Sequence, residues 1–250
     1  MTGEDAGKAL ADMSDAEIPT EGFSTWLEST RLAQKGNVGA DVPCGNCNAC
    51  CTSGYFIHIG PEETATLARI PKQLVFRAPG LPKGHVLMGY DESGRCPMFK
   101  ADKCSIYEHR PQTCRNYDCR VFPATGLSVD EGKTGIARQI VRWKFAFPGA
   151  GDTREYAAVR AAAAFLGEFR REFPPGFVPE NPTQQAIMAI KVYPVFLAEG
   201  DGREAGRRKE TVGAVVAAYE RFEEERGIKK AGLRGSAAGP GKGRQGSKPA

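Results

Sequence analysis

The stretch 42-VPCGNCNACCTSGYF-56 sets Cys44, Cys47, Cys50 and Cys51 within eight positions. Three chemistries can crowd thiols in this way: a disulfide framework, a set of metal ligands, or a redox-active pair. The remaining cysteines bear on the choice. Cys96, Cys104, Cys114 and Cys119 complete the pattern C-x2-C-x2-C-C, forty-four residues, C-x7-C-x9-C-x4-C, so all eight cysteines fall between residues 44 and 119. A tight turn over C-x2-C aims two sulfurs into one concavity, as knuckle-type metal sites require.

The rest of the chain sets the chemical context. Its 250 residues are 41% hydrophobic and 26% charged, ordinary for a globular protein. The first twenty residues, MTGEDAGKALADMSDAEIPT, hold no apolar core of signal-peptide length. No later stretch approaches the ~18 apolar residues of a membrane span, so the chain reads as cytoplasmic with no membrane partner. There, thiols are kept reduced, and clustered cysteines are more often ligands than staples. The net charge of +4 is concentrated in residues 227–250, where Lys229, Lys230, Arg234, Lys242, Arg244 and Lys248 face no acid. That Gly/Ser/Pro-rich tail is expected to be disordered. Without it the chain is slightly acidic, which excludes a body built to grip nucleic acid specifically.

Helical periodicity organises the flanks. Phe23, Trp26, Leu27 and Thr30 predict an N-terminal helix closed by Gly36. Ile136, Ile140, Trp143 and Phe147 make a second stripe, stopped by Pro148-Gly149. Tyr156, Val159, Ala163, Leu166, Phe169 and Phe173 make a third, entered through the cap candidate Asp152 and stopped by Pro174-Pro175. Asn181 before Pro182 predicts another helix start, with Pro194 ending or kinking that helix. Val212, Val215, Val216, Tyr219 and Phe222 line a last helix. GKTG at 132–135 has only the end of a phosphate loop: Gly126 stands one position too far away and no strand leads in, so the nucleotide reading fails.

Disulfides fit this chain poorly, because vicinal cysteines such as Cys50 and Cys51 rarely bridge and nothing exports the protein. A thioredoxin-type pair would need a buried strand before VPCGNC, and none is written there. Metal ligation remains. Three thiols at C-x2-C-x2-C are similar to the run that seats three corners of a [4Fe–4S] cube, and Cys96 before Pro97 supplies the form of a distant fourth ligand. Zinc held by two knuckles is the alternative. Four thiolates around either group leave a formal charge of about −2. Arg110 and Arg115, each within four residues of Cys114, are candidates to offset that charge near the sulfurs. Among the three histidines, His58, near Cys50 and Cys51, is the reserve ligand, with a structural role expected first.

Taken together, CGNCNACC, then GPEETATLARI, then CPMF and CSIYEHRPQTCRNYDC resemble the CxxCxxCC cysteine-cluster family, also called the YkgJ family, across residues 44–122. The family is described as a zinc- or iron-chelating domain. The resemblance implies metal binding by the cysteines. Some flagellin lysine methylases carry a similar cluster, so an iron–sulfur-dependent enzyme such as a protein methyltransferase is the alternative function. No methyl-donor loop is identifiable.

The expectation is therefore a mostly α protein with an irregular cysteine-rich metal-binding module and little β. Its parts are a disordered acidic leader (1–20), an N-terminal helix (21–36), the module (40–125), a helical part packing on it (129–226) and a disordered basic tail (227–250). The expected partner is a metal: Zn²⁺ or iron, with one [4Fe–4S] cluster favoured, or two four-ligand sites. It is held by Cys44, Cys47, Cys50, Cys51, Cys96, Cys104, Cys114 and Cys119.

Overall fold

The computed structural model describes residues 16–36, 39–40, 42–199 and 205–226. The expectations for residues 1–15 and for the tail from 227 lie outside the described residues. Ile18–Gly22 forms strand β1, and Phe23–Gln34 follows as helix α1 with Phe23, Trp26, Leu27, Thr30 and Ala33 buried along one face. Residues 18–20 of the expected leader lie in this strand. β1 pairs in parallel with a strand at Trp143–Ala146, in the register Ile18↔Trp143, and Ile18 N–H donates to Arg142 O at 2.7 Å. Its alternating burial spans five residues of mixed polarity, and its partner lies more than a hundred positions away.

Between these partners lie the cysteines and a small sheet. Strands β2 (Ile57–Ile59), β3 (Val75–Arg77) and β4 (Val86–Met88) form an antiparallel sheet with β4 in the middle. The short helix α2 (Thr64–Leu67) connects β2 to β3. A two-residue hairpin, β5 (Phe99–Lys100) and β6 (Lys103–Cys104), turns through Ala101 and Asp102, both at positive φ. Short helices α3 (Gln112–Asn116) and α4 (Val121–Thr125) complete this half.

The helical half departs from periodicity once. The stripe from Ile136 to Phe147 is a helix, α5 (Thr134–Ile140), followed by strand β7 (Trp143–Ala146). From Trp143 the burial alternates every second residue, and Phe147 is exposed, so period two replaces 3.6 midway. Helix α6 (Ala150–Glu168) runs through the centre of the fold and packs on α1, α4, α7 (Pro182–Val192) and α8 (Pro194–Glu199). Its N-cap is Gly149 rather than Asp152. Asp152 stands three positions later, where its carboxylate accepts from Gly149 N–H at 3.0 Å and from Ser24 N–H at 2.9 Å, joining the starts of two helices. Asn181 caps α7 by accepting from Gln184 N–H at 3.1 Å, and Pro194 separates α7 from α8. Helix α9 (Ala205–Glu225) buries Val215 in the apolar core and Phe222 beneath Arg31, Lys35 and Lys191. No helix among the described residues is long and apolar enough to cross a membrane.

Two unequal cores result. The large one gathers Trp26, Phe122, Trp143, Phe165 and Ile190 with many others; the small one buries Ile59, Ile70, Met88, Met98 and Ile106, with Ile57, Leu67, Leu74, Val75 and Val86 partly buried against it. A buried polar network ties the cysteine region to the large core. Asp118 accepts from Trp26 Nε1–H at 2.9 Å and from Arg120 N–H at 2.9 Å, and pairs with the Arg120 guanidinium at 2.9 Å. Arg120, fully buried, also reaches Glu21 at 3.0 Å.

Removing one member of a buried ion pair leaves an uncompensated charge. Asp118→Ala is therefore expected to lower unfolding stability by about 3–5 kcal/mol in denaturant titration. Glu17→Ala, which breaks an exposed pair with Lys144, should cost under ~0.5 kcal/mol. Equal effects would show that the Asp118 network carries no special weight. Asn181→Ala should cost about 1 kcal/mol through the lost cap, and an unchanged midpoint would contradict that role.

Candidate metal centre

Local backbone geometry sets where each thiol stands. Cys44 N–H donates to Val42 O and Cys47 N–H to Cys44 O at 2.9 Å, a tight turn that Gly45 completes at φ +55°. A 3₁₀ turn over Ala49–Thr52 then carries Cys50 and Cys51, with Cys51 N–H donating to Asn48 O. Ser53 Oγ–H donates to Ala49 O at 2.6 Å, closing the turn. Lys133, from the GKTG segment, donates Nζ–H to Ser53 O and Gly54 O and lies over the Tyr55 ring at 4.6 Å. The lysine anchors the exit of the cysteine loop.

The distal thiols are placed by different elements. Cys96 N–H donates to Cys51 O at 2.8 Å, and Phe99 N–H to Cys96 O at 2.9 Å. Phe99 pairs with Cys104 across the β5–β6 hairpin, so Cys51, Cys96 and Cys104 follow one another through adjacent backbone. Cys114 rides on α3, which packs on β2 through Thr113 Oγ–H to His58 O at 2.7 Å and starts against Glu63 through Gln112 N–H at 2.6 Å. Cys119 is buried in the large core, where Trp143 Nε1–H donates to its sulfur at 3.2 Å.

All eight cysteines are free thiols, so no disulfide staples the loops. Burial pushes the Cys44 thiol up to about 12, with Cys47 and Cys50 repelling its charge. Burial also raises Cys119, and Cys44 and Cys47 are the thiols that act on it. Burial raises Cys114 as well, with Cys50, Cys96 and Cys104 adding to the shift and Arg110 opposing it. At the junction, Cys51 donates a hydrogen bond to Cys50. That bond lowers Cys50 to about 7, helped by backbone N–H groups and Arg110, and raises Cys51.

Cys44 and Cys47 thus share one turn, Cys51, Cys96 and Cys104 are linked through adjacent backbone, and Cys50 bears on Cys114 and Cys96 as well as on Cys44. Among the described residues, no three His, Cys, Asp or Glu side chains converge as a ready-made cage for one ion. The donor set is nevertheless the soft one that zinc and iron–sulfur groups take: eight unbridged thiols on short turns, one already receiving an N–H bond at its sulfur.

Arg110 lies over Tyr107 at 4.1 Å, and its charge lowers Cys50 and opposes the rise at Cys114. Arg115 is tied to the chain by its carbonyl, which accepts from Ala40 N–H, and its Nε is buried without a hydrogen-bond partner. His58 faces His85, at 2.9 Å between ring nitrogens, rather than a thiol. Three supporting residues escaped the sequence reading. By sequence Trp143 reads as one position of a helical stripe, Lys133 as part of a failed phosphate loop, and Asp118 has no assigned role. Only Asp118, adjacent to Cys119, carried a signal, namely a carboxylate written beside a candidate ligand.

No curated protein and no solved structure matches the chain. Residues 43–135 match the model of the CxxCxxCC family, whose description reads "Putative zinc- or iron-chelating domain". All eight cysteines fall inside the match.

Proposed function

We propose that this protein chelates iron or zinc through the thiolates of its cysteine module, and that the bound group is a [4Fe–4S] cluster in preference to zinc. The observation that carries the reading is the set of eight unbridged thiols on tight turns inside the matched domain. Preference for the cluster comes from the C-x2-C-x2-C run, whose spacing is that of cluster-seating loops. When bound, the group would supply electron transfer if a cluster and structural cross-linking if zinc. The chain's residues do the rest. Trp143 gives a hydrogen bond to the Cys119 sulfur, a contact that tunes a bound metal. Arg110 offsets thiolate charge around Cys50 and Cys114. Ligation needs reduced thiols, which a reducing compartment such as the cytoplasm would maintain.

The same reading explains how the small core is held. Five buried apolar side chains offset little of the entropy of ordering the cysteine loops, so metal–sulfur bonds supply much of that order.

Protein purified without oxygen should be brown, absorb broadly near ~400 nm, and contain iron and acid-labile sulfide in equal amounts. Colourless protein holding zinc and no sulfide would remove the cluster and leave chelation intact; protein without stoichiometric metal would overturn both. Stripping the metal with a strong chelator should open residues 44–122 to protease while α6 and α7 stay helical. Unchanged protease resistance would contradict the ordering role.

A further inference from the structure

Away from the thiols, exposed apolar surface gathers in one place. Among the described residues, Phe56 (55% exposed), Phe76 (46%), Tyr90 (43%) and Leu81 all belong to the small sheet or to the loops at its ends. The strand register explains this. The rows Ile57–Met88–Val75 and Ile59–Val86 turn into the small core, so the row between them, His58–Leu87–Phe76, faces the other way. Phe56 stands two positions before His58, and His85 two before Leu87, on that same outer face. The Phe56 ring lies 6.0 Å from Phe76, at 90° to it, and 5.0 Å from Tyr90. His58 and His85 lie 5.1 Å apart with nearly parallel rings. Gly89 is the floor beneath them: a Cβ there would meet the Phe56 and Phe76 rings at 3.7 and 3.8 Å.

Shielding the Gly89 backbone accounts for two rings leaning together. It does not account for five aromatic or imidazole rings and Leu87 making one face without a carboxylate, with three of those rings open to water. The charges around the face are also one-sided. Residues 64–90 hold Arg69, Lys72, Arg77 and Lys83 and no Asp or Glu. All four cations are exposed, and none enters an ion pair among the described residues. Acids stand at the borders. Glu62 and Glu63 act on His58, and Asp91, with Glu92 beside it, is closed into its own turn by the N–H groups of Ser93 and Arg95. Flat rings offered to solvent and framed by unpaired cations suit a ligand that alternates planar groups with negative charges. A single nucleic-acid strand has that form: its bases stack on Phe, Tyr and His, and its phosphates meet Lys and Arg. A lipid surface or an acidic peptide supplies the charge without the planar groups.

We propose that the outer face of the β2–β4–β3 sheet binds single-stranded nucleic acid without sequence preference, its bases stacking on Phe56, Phe76 and Tyr90 and its phosphates meeting Lys72, Arg77 and Lys83. The slightly acidic balance of the body speaks against specific gripping of a duplex, and stacking requires no such specificity. The site goes beyond chelation and holds whichever metal the thiols take.

Fluorescence anisotropy of a labelled oligothymidylate of about 12 nucleotides, titrated with the full metal-loaded chain at low salt, tests this. Binding should saturate. Phe56→Ala and Phe76→Ala should each weaken it about fivefold or more, the low end of what one stacked base contributes. Phe76→Tyr, which keeps a ring, should bind like the unaltered protein, which separates lost stacking from lost folding. Leu32→Ala, equally exposed but on α1, should change nothing. Lys72→Gln with Lys83→Gln should flatten the salt dependence by about 0.7 in log–log slope for each lysine that meets a phosphate. The basic segment 227–250 is present in every variant, so its own attraction for phosphate cancels from the comparison. Absence of binding would overturn the proposal, and so would binding that the two alanine variants leave unchanged. Equal affinity for a duplex of the same length would overturn it as well, because paired bases cannot reach the rings. Ring-dependent capture by vesicles of anionic phospholipid, with no ring-dependent binding of the oligonucleotide, would assign the face to a lipid surface instead.

Discussion

The carboxylate of Asp118 is the point on which the arrangement turns. It accepts the indole N–H of Trp26 from α1, pairs with the buried guanidinium of Arg120, and through Arg120 connects to Glu21 on β1. Its immediate neighbour in the chain is Cys119, whose sulfur receives the indole N–H of Trp143 from β7. The parallel pair β1–β7, the first helix and the last thiol of the module therefore share one small polar cluster. Charges so deeply buried are tolerated only while each has its partners. The cluster consequently fixes where the cysteine loops leave the helical scaffold, and it does so with directional bonds.

From that anchor the two halves of the molecule differ in how they are held. The large core has long helices, edge-to-face aromatic rings and many buried apolar residues, enough to order itself by burial. The small core has five such residues beneath a three-stranded sheet of three-residue strands. Its loops are organised by turns, by Lys133 reaching back to Ser53 and Gly54, and by the Cys96–Cys51 backbone bond. A metal joined to several of these loops acts as a cross-link where burial is weakest. Thiols raised by burial, such as Cys44, Cys114 and Cys119, must give up protons to a metal, so occupancy of such a module falls as pH is lowered.

What the sequence made legible was local. Helices with a full 3.6 stripe and a recognisable cap, α1 and α7 above all, follow directly from Trp26 and Leu27 or from Asn181 and Pro182. The ligand candidates were equally plain, because cysteine spacing is a local property. What was not legible depended on distant partners. Ile18–Gly22 is a strand because Trp143–Ala146 lies beside it, and neither segment has enough alternation to declare itself alone. Trp143 looked like one more apolar position on a helix, while its N–H is directed at a sulfur 24 residues earlier. Which thiols are neighbours was hidden for the same reason: the hairpin that brings Cys104 beside Cys96 and Cys51 is only two residues deep.

Thiolate chelation requires that sulfur surround the metal. X-ray absorption at the K-edge of the metal in the purified protein measures that shell directly. Thiolate chelation predicts a shell of about four sulfur neighbours at roughly 2.3 Å. A shell dominated by nitrogen or oxygen at about 2.0–2.2 Å would contradict it.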